Sequence, residues 1–180
     1  MKRPKITKYL SKMLVKQKFS GIGKYYASEV TLDYTKRHSK RIDFLEFKPR
    51  NTTPEGINDG IFICYEIKSC KEDIYSGNGL NFIGDKNYIV TTVETYKKIL
   101  PDIESGKLAN HIKNCNPESS TNFGIIVPIP KYIETADELD NPTPFKKDNI
   151  WELRVVKPCR KVNRQKSMNE LLFCMLRSGV

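Results

Sequence analysis

Glu66 and Lys68 stand two residues apart in the run IFICYEIKS, 61–69. If that run is a strand, alternation puts both side chains on one face, about 6.6 Å apart along the chain. A carboxylate and an ammonium at the end of a buried strand are costly unless they are paired or used. An ion pair at a strand end on the surface is the plainer structural alternative. Asp43 lies in an earlier strand-like run, RIDFLEF, 41–47. A hairpin of the two runs brings Asp43 towards Glu66, where two carboxylates repel unless a cation lies between them. Taken alone, Asp43 also suits the cap of a turn. Hard oxygen ligands that leave room for water suit Mg²⁺ (or Mn²⁺). Such an ion binds a phosphate oxygen and generates hydroxide near the phosphorus. Lys68 would orient or help deprotonate that water, or stabilise the pentacovalent charge.

The elements that must position these groups follow from periodicity. Residues 5–18 carry Ile6, Tyr9, Leu10, Met13 and Leu14 at helical spacing, with lysines opposite, and Gly21 and Gly23 end the helix. Runs 28–34 and 41–47 read as strands joined by a polar turn. The stretch 48–60 reads as loop. In 61–69, Ile61, Ile63, Tyr65 and Ile67 share one face, while Phe62 and Cys64 precede Glu66 and Lys68 on the other. Both faces begin apolar, so this strand is expected at the centre of a sheet. A short helix over 70–77, a glycine-bearing loop and a strand over 87–92 follow. A helix over 93–103, broken by Pro101, precedes a strand over 123–129. Residues 134–149 read as an acidic loop, 151–157 as an edge strand, and 167–177 as a last helix with Met168, Leu171, Leu172 and Met175 on one side. The pattern implies an α/β or α+β sheet with helices packed on it.

Length and charge narrow what such a site could act on. A chain of 180 residues suits one domain and is too short for a two-domain cofactor enzyme. No apolar run has the length of a membrane span, and the N-terminal segment lacks the apolar middle of a signal peptide. The five cysteines are odd in number and show no CxxC spacing, so reduced thiols in a cytosol are expected. His38 and His111 have no cysteine at zinc-ligand spacing. The formal net charge is +10 and is clustered. Eight basic residues precede the first acid, Glu29. A second cluster runs from Arg154 through Lys157, Arg160, Lys161 and Arg164 to Lys166, and a third comprises Lys36, Arg37, Lys40 and Arg41. Each could be a solvated face, but three clusters of one sign favour a phosphate-backbone footprint. A membrane surface fits less well, because the first helix has no Trp/Phe-rich apolar face. Tyr25 and Tyr26 could stack on bases, yet aromatic residues beside a core are more often core. Asn81, Asp85 and Lys86 suit contact with DNA or ordinary loop polarity. The SGNG stretch, 76–79, lacks the third glycine and long helix of a dinucleotide site.

The order of these motifs resembles the PD-(D/E)XK nuclease superfamily. The segments EVTLDY, RIDF, ICYEIKSCKEDI and GDKNYIVT are similar to small, largely prophage-borne proteins of its MmcB-like branch. The resemblance covers roughly 25–130 well, and the tail LRVVK and LLFCMLRS loosely. It implies a restriction-endonuclease-like core with a central mixed sheet flanked by helices. The basic N-terminal helix would occupy 1–24, the core 25–130, and a loop, edge strand and basic helix 131–180. Asp43 and Glu66 would ligate the metal with the carbonyl of Ile67, and Lys68 would be the catalytic lysine. Glu29 matches an additional acid that can support a second metal. Ile42 stands where the literal motif has proline. The implied activity is Mg²⁺-dependent hydrolysis of DNA in repair, recombination or phage DNA processing, in the cytoplasm. Many members of the superfamily act as dimers, so a homodimer is one expected assembly. Two readings of other classes stand beside it: a non-catalytic DNA-binding accessory protein that keeps the fold, and a small interaction protein whose charge serves solubility.

Overall fold

A computed structural model describes residues 1–33 and 40–178. The polar turn expected over 35–40, with Lys36, Arg37 and His38, lies almost wholly outside the described residues. The chain folds as a mixed α/β structure around one six-stranded sheet with helices against it. Among the described residues, no helix is long and apolar enough to cross a membrane.

Strands β1 (Tyr25–Leu32), β2 (Lys40–Lys48), β3 (Ile61–Ile67), β4 (Lys86–Val90), β5 (Gly124–Pro130) and β6 (Trp151–Lys157) lie side by side in chain order. The first three form an antiparallel meander, β3, β4 and β5 run parallel, and β6 returns antiparallel as an edge. Parallel neighbours need long crossovers. Helix α3 (Lys71–Ile74) and the glycine-bearing loop connect β3 to β4, and α4 (Val93–Glu104) and α5 (Lys107–Cys115) connect β4 to β5.

The expected central strand is central, and its alternation sorts the core. Ile63, Tyr65 and Ile67 join a cluster with Leu10, Met13 and Leu14 of helix α1 (Arg3–Leu14). Phe62 and Cys64 join a second with Leu171 and Cys174 of helix α7 (Met168–Ser178). A third cluster packs α4 and α5 on β4 and β5 through Ile89, Ile99, Leu108, Ile112, Ile125 and Val127. Each such side chain contributes about 1.5–3 kcal/mol when fully buried.

Four expectations about elements change. The first helix continues past Leu14 as a π-helical turn over Val15–Phe19 before Gly21 and Gly23 end it. The 48–60 loop holds helix α2 (Pro54–Asn58), capped where Thr53 Oγ1 accepts the Gly56 N–H. Pro101 does not break α4, because its exposed position near the C-terminus leaves the forfeited bond to water. The acidic loop contains helix α6 (Thr135–Asp140), whose Glu138 turns inward to accept the N–H and hydroxyl of Thr143. Helix α5 was not expected at all; Leu108 and Ile112 are its only inward pair.

Candidate functional site

The register of the meander decides where the acids fall. Cα partners run Ser28 with Phe44 and Val30 with Ile42, then Phe44 with Tyr65. Continued by one residue, this places Glu29 opposite Asp43 and Asp43 opposite Glu66. Pairing is interrupted at those positions. The inward positions of β1 are Ala27, Val30 and Leu32, so the alternation skips at 28–29 with the register unchanged, where Glu29 takes a φ of +54°. On β2, Ile42 and Leu45 face one cluster, and Asp43 and Phe44 fall between them. Paired irregularities of this kind turn a side chain out of the apolar layer.

Asp43 is half-buried, and its Oδ2 accepts the Ile67 N–H at 2.7 Å. Ile67 itself lines the same cleft as Asp43, which leaves its carbonyl a candidate ligand there. Glu66 is 1% exposed, and its Oε1 accepts the Asn81 N–H at 3.2 Å. Lys68 is 5% exposed; its Nζ donates to the Asn78 carbonyl at 2.7 Å and lies 3.9 Å from Asp73 Oδ1. The backbone of Lys68 is fixed too. Its N–H reaches the Val90 carbonyl, and its own carbonyl accepts the Thr91 hydroxyl at 2.6 Å. Thr91 and Thr92 thus leave the strand expected over 87–92: the first holds Lys68, and the second caps α4.

Gly79 closes this arrangement. It has a φ of +76°, and a Cβ there would lie 2.7 Å from Glu66 Oε2 and 2.9 Å from Lys68 Nζ. Only glycine permits both the left-handed turn and so close an approach. The loop over 77–81 therefore gives Glu66 an N–H, gives Lys68 a carbonyl, and passes its bare Cα between them. The sequence marked this stretch by its glycines and by Asn81, a candidate for contact with DNA that is instead buried and bonded within the site. Asn116 carried no signal, yet its Nδ2 donates to Asn81 Oδ1 at 2.7 Å, and Asn81 Nδ2 reaches the Arg41 carbonyl at 2.7 Å. Asp73 holds the Ser69 N–H and hydroxyl at the start of α3.

Burial and the neighbouring charge of Asp43 push the Glu66 carboxyl up to about 8, with Lys68 opposing. Burial also raises Asp43, against the lowering effect of the Ile67 N–H and Lys68. A pair raised in this way takes up a positive charge, either a proton or a cation. Two carboxylates and a carbonyl are hard oxygen donors and fit a divalent ion that keeps several waters. No third acid completes the set: among the described residues, no group of three His, Cys, Asp or Glu side chains is placed to hold a metal. Glu29 borders the same cleft, but its Oε2 is held by Arg41 Nε at 2.7 Å.

Asp43, Glu66, Ile67 and Lys68 line one open cleft of ≈ 910 Å³, which Lys40, Arg41 and Asn116 also border. The basic clusters divide around it. Lys12 and Lys16 of the N-terminal segment line an adjoining cleft of ≈ 500 Å³, and both clefts share Thr7, Glu29, Asp43 and Ile67. The C-terminal cluster is largely spent on internal ties. Arg164 reaches Asp85 at 3.2 Å and the Gly60 carbonyl at 3.3 Å, Lys166 holds Asp33 and Glu170, Arg154 holds Glu152, and Lys157 donates to the Phe123 carbonyl. Asp85, one candidate for contact with DNA, is buried and accepts the Phe62 N–H at 2.8 Å. It is a structural anchor.

Comparison with known proteins returned no match: no family model fits the chain, and no curated protein or solved structure is significantly similar to it.

Proposed function

We propose that the chain is a metal-dependent nuclease of the PD-(D/E)XK type that hydrolyses phosphodiester bonds of DNA. The observation that carries the reading is the convergence of Asp43, Glu66 and Lys68 on one cleft from adjacent strands. The antiparallel meander bearing the acids, followed by parallel strands, supports a restriction-endonuclease-like core. Asp43, Glu66 and the Ile67 carbonyl would hold Mg²⁺ or Mn²⁺. Bound there, the ion supplies polarisation of a phosphate oxygen and a water of lowered pKa.

The remaining work falls to side chains. Lys68, fixed by the Asn78 and Asp73 oxygens and by Thr91 through its backbone, brings an ammonium beside the carboxylates. It stabilises charge developing on the phosphorane, or orients the attacking water. Lys40 and Arg41 border the same cleft, Lys40 paired with Glu118 and Arg41 with Glu29, and would have to exchange those partners to meet flanking phosphates. The low exposure of Glu66 and Lys68 strengthens every charge interaction among them.

The test is a cleavage assay on plasmid, linear, single-stranded and branched DNA with Mg²⁺ or Mn²⁺. Wild type should cut, and Asp43→Ala and Lys68→Ala should each lose at least about a hundredfold in rate. Intact DNA on every substrate, with wild type and variants binding DNA equally well, would replace this reading with that of a non-catalytic DNA-binding protein.

A further inference from the structure

The cleft that holds Asp43 continues between α1 and the face of β1 and β2, and the features of that extension have no part in the chemistry above. Helix α1 packs over β3. Gln17 then ties the π-helical turn to β6, donating to the Trp151 carbonyl and accepting the Leu153 N–H, both at 2.8 Å. The helix is thereby held off the outer edge of the sheet and leaves Ser28 and Asp43 open beside it. Its wall on this side carries Ser11, Lys12 and Lys16.

Lys12 and Lys16 are four apart and exposed, so like charges stand side by side. The acids of this region are engaged elsewhere, Glu72 with Arg3 and Glu29 with Arg41. Among the described residues, neither lysine forms an ion pair. Beyond Ser28, on the same face of β1, comes Tyr26. Its ring lies parallel to the buried ring of Phe19, with centroids 4.4 Å apart and planes at 16°. Tyr26 is nevertheless 38% exposed. One face of the ring is backed by core, and the residue remains open to solvent. The acidic cleft and the cleft of the paired lysines adjoin, and the backed ring of Tyr26 stands two residues beyond Ser28 on the same strand face, next to the residues that line them.

We infer that this groove binds a single strand of DNA, with phosphates on Lys12 and Lys16 and an unpaired base on Tyr26, and leads it to Asp43 and Glu66. Cations that track a backbone beside an aromatic platform are the physical requirements for binding a single strand, whereas a duplex keeps its bases stacked within itself. Which bond is cut rests on the nuclease reading above; the binding does not.

The experiment measures fluorescence anisotropy of a labelled oligothymidine and of a blunt duplex of equal length, in EDTA, over a range of salt. Wild type should favour the single strand at least about tenfold, and Tyr26→Ala should remove about that factor. Lys12→Ala with Lys16→Ala should reduce the salt slope for the single strand by about 1.4, or about 0.7 for each phosphate. All three residues are solvent-exposed, and unchanged thermal unfolding of the variants confirms that they fold. Equal affinity for both DNAs, or variants that bind like wild type, would overturn the groove even if the protein cuts DNA. Single-strand binding lost in these variants, in a protein that cuts nothing with metal, would uphold the groove and sink the nuclease.

Discussion

The carboxyl of Glu66 makes the sharpest claim at the scale of single residues. Burial and Asp43 raise it from 4.5 to about 8. Between those values the native protein binds a proton that the unfolded chain does not, so this group's contribution to stability falls as pH rises from about 4.5 to about 8. Glu66→Gln removes the titration. In EDTA, its melting temperature relative to wild type should climb from pH 5 to pH 9. Added Mg²⁺ should raise the melting temperature of wild type at the alkaline end and leave that of the variant unmoved. A pH-independent difference between the two proteins would show that Glu66 titrates normally. The sequence offered the acid and the lysine two apart, which strand alternation alone turns into a shared face. It could not say that Asn81 and Asn78, brought in by a later loop, would hold them.

At the scale of elements, the loop over 77–81 is a part of the site that looks dispensable from its composition. Gly79→Ala must strain a left-handed residue and push a methyl between Glu66 Oε2 and Lys68 Nζ. The strain costs about 1 kcal/mol or more, a modest effect on folding. Displacing the ammonium and carboxylate should cost about a hundredfold or more in cleavage rate, because misplacement by about 1 Å has that effect. Thermal unfolding beside single-turnover cleavage separates the two; a rate that falls no further than stability would make Gly79 merely structural. Elements with strong periodicity, α1 and β3, were legible from their own residues. Helices α5 and α6 were not. The first buries only two side chains, and the second is held by Glu138 turning in to Thr143, a contact with no local pattern.

The whole molecule is closed by its C-terminal segment. Val162 and Gln165 donate N–H groups to the carbonyls of Asp85 and Ile83, and Arg164 meets Asp85, which also receives the Phe62 N–H from the start of β3. Asp85→Ala leaves the buried Phe62 N–H without its acceptor and the half-buried Arg164 guanidinium without its counter-charge, with the Gly60 carbonyl still in reach. It should destabilise the fold by about 2–5 kcal/mol in urea titration. A loss under about 0.5 kcal/mol would mean the segment is not an anchor. Charge counting could not distinguish this cluster from the N-terminal one. Both are basic stretches, and only packing shows that one is consumed in ties while Lys12 and Lys16 face a cleft.

The sequence by itself determined a basic α/β chain, a central strand apolar on both faces, and a carboxylate and an ammonium sharing one of them. These follow from alternation and charge, which act over a few residues. Tertiary structure decided the rest. It set Asp43 against Glu66 through the register of a meander with a twelve-residue connection over 49–60. It bent β1 at Glu29 and gave that acid to Arg41. It also placed Gly79, Asn81 and Asn116 around the pair. Strand register and loop closure depend on which distant surfaces must be buried together, and no short stretch of sequence contains that information.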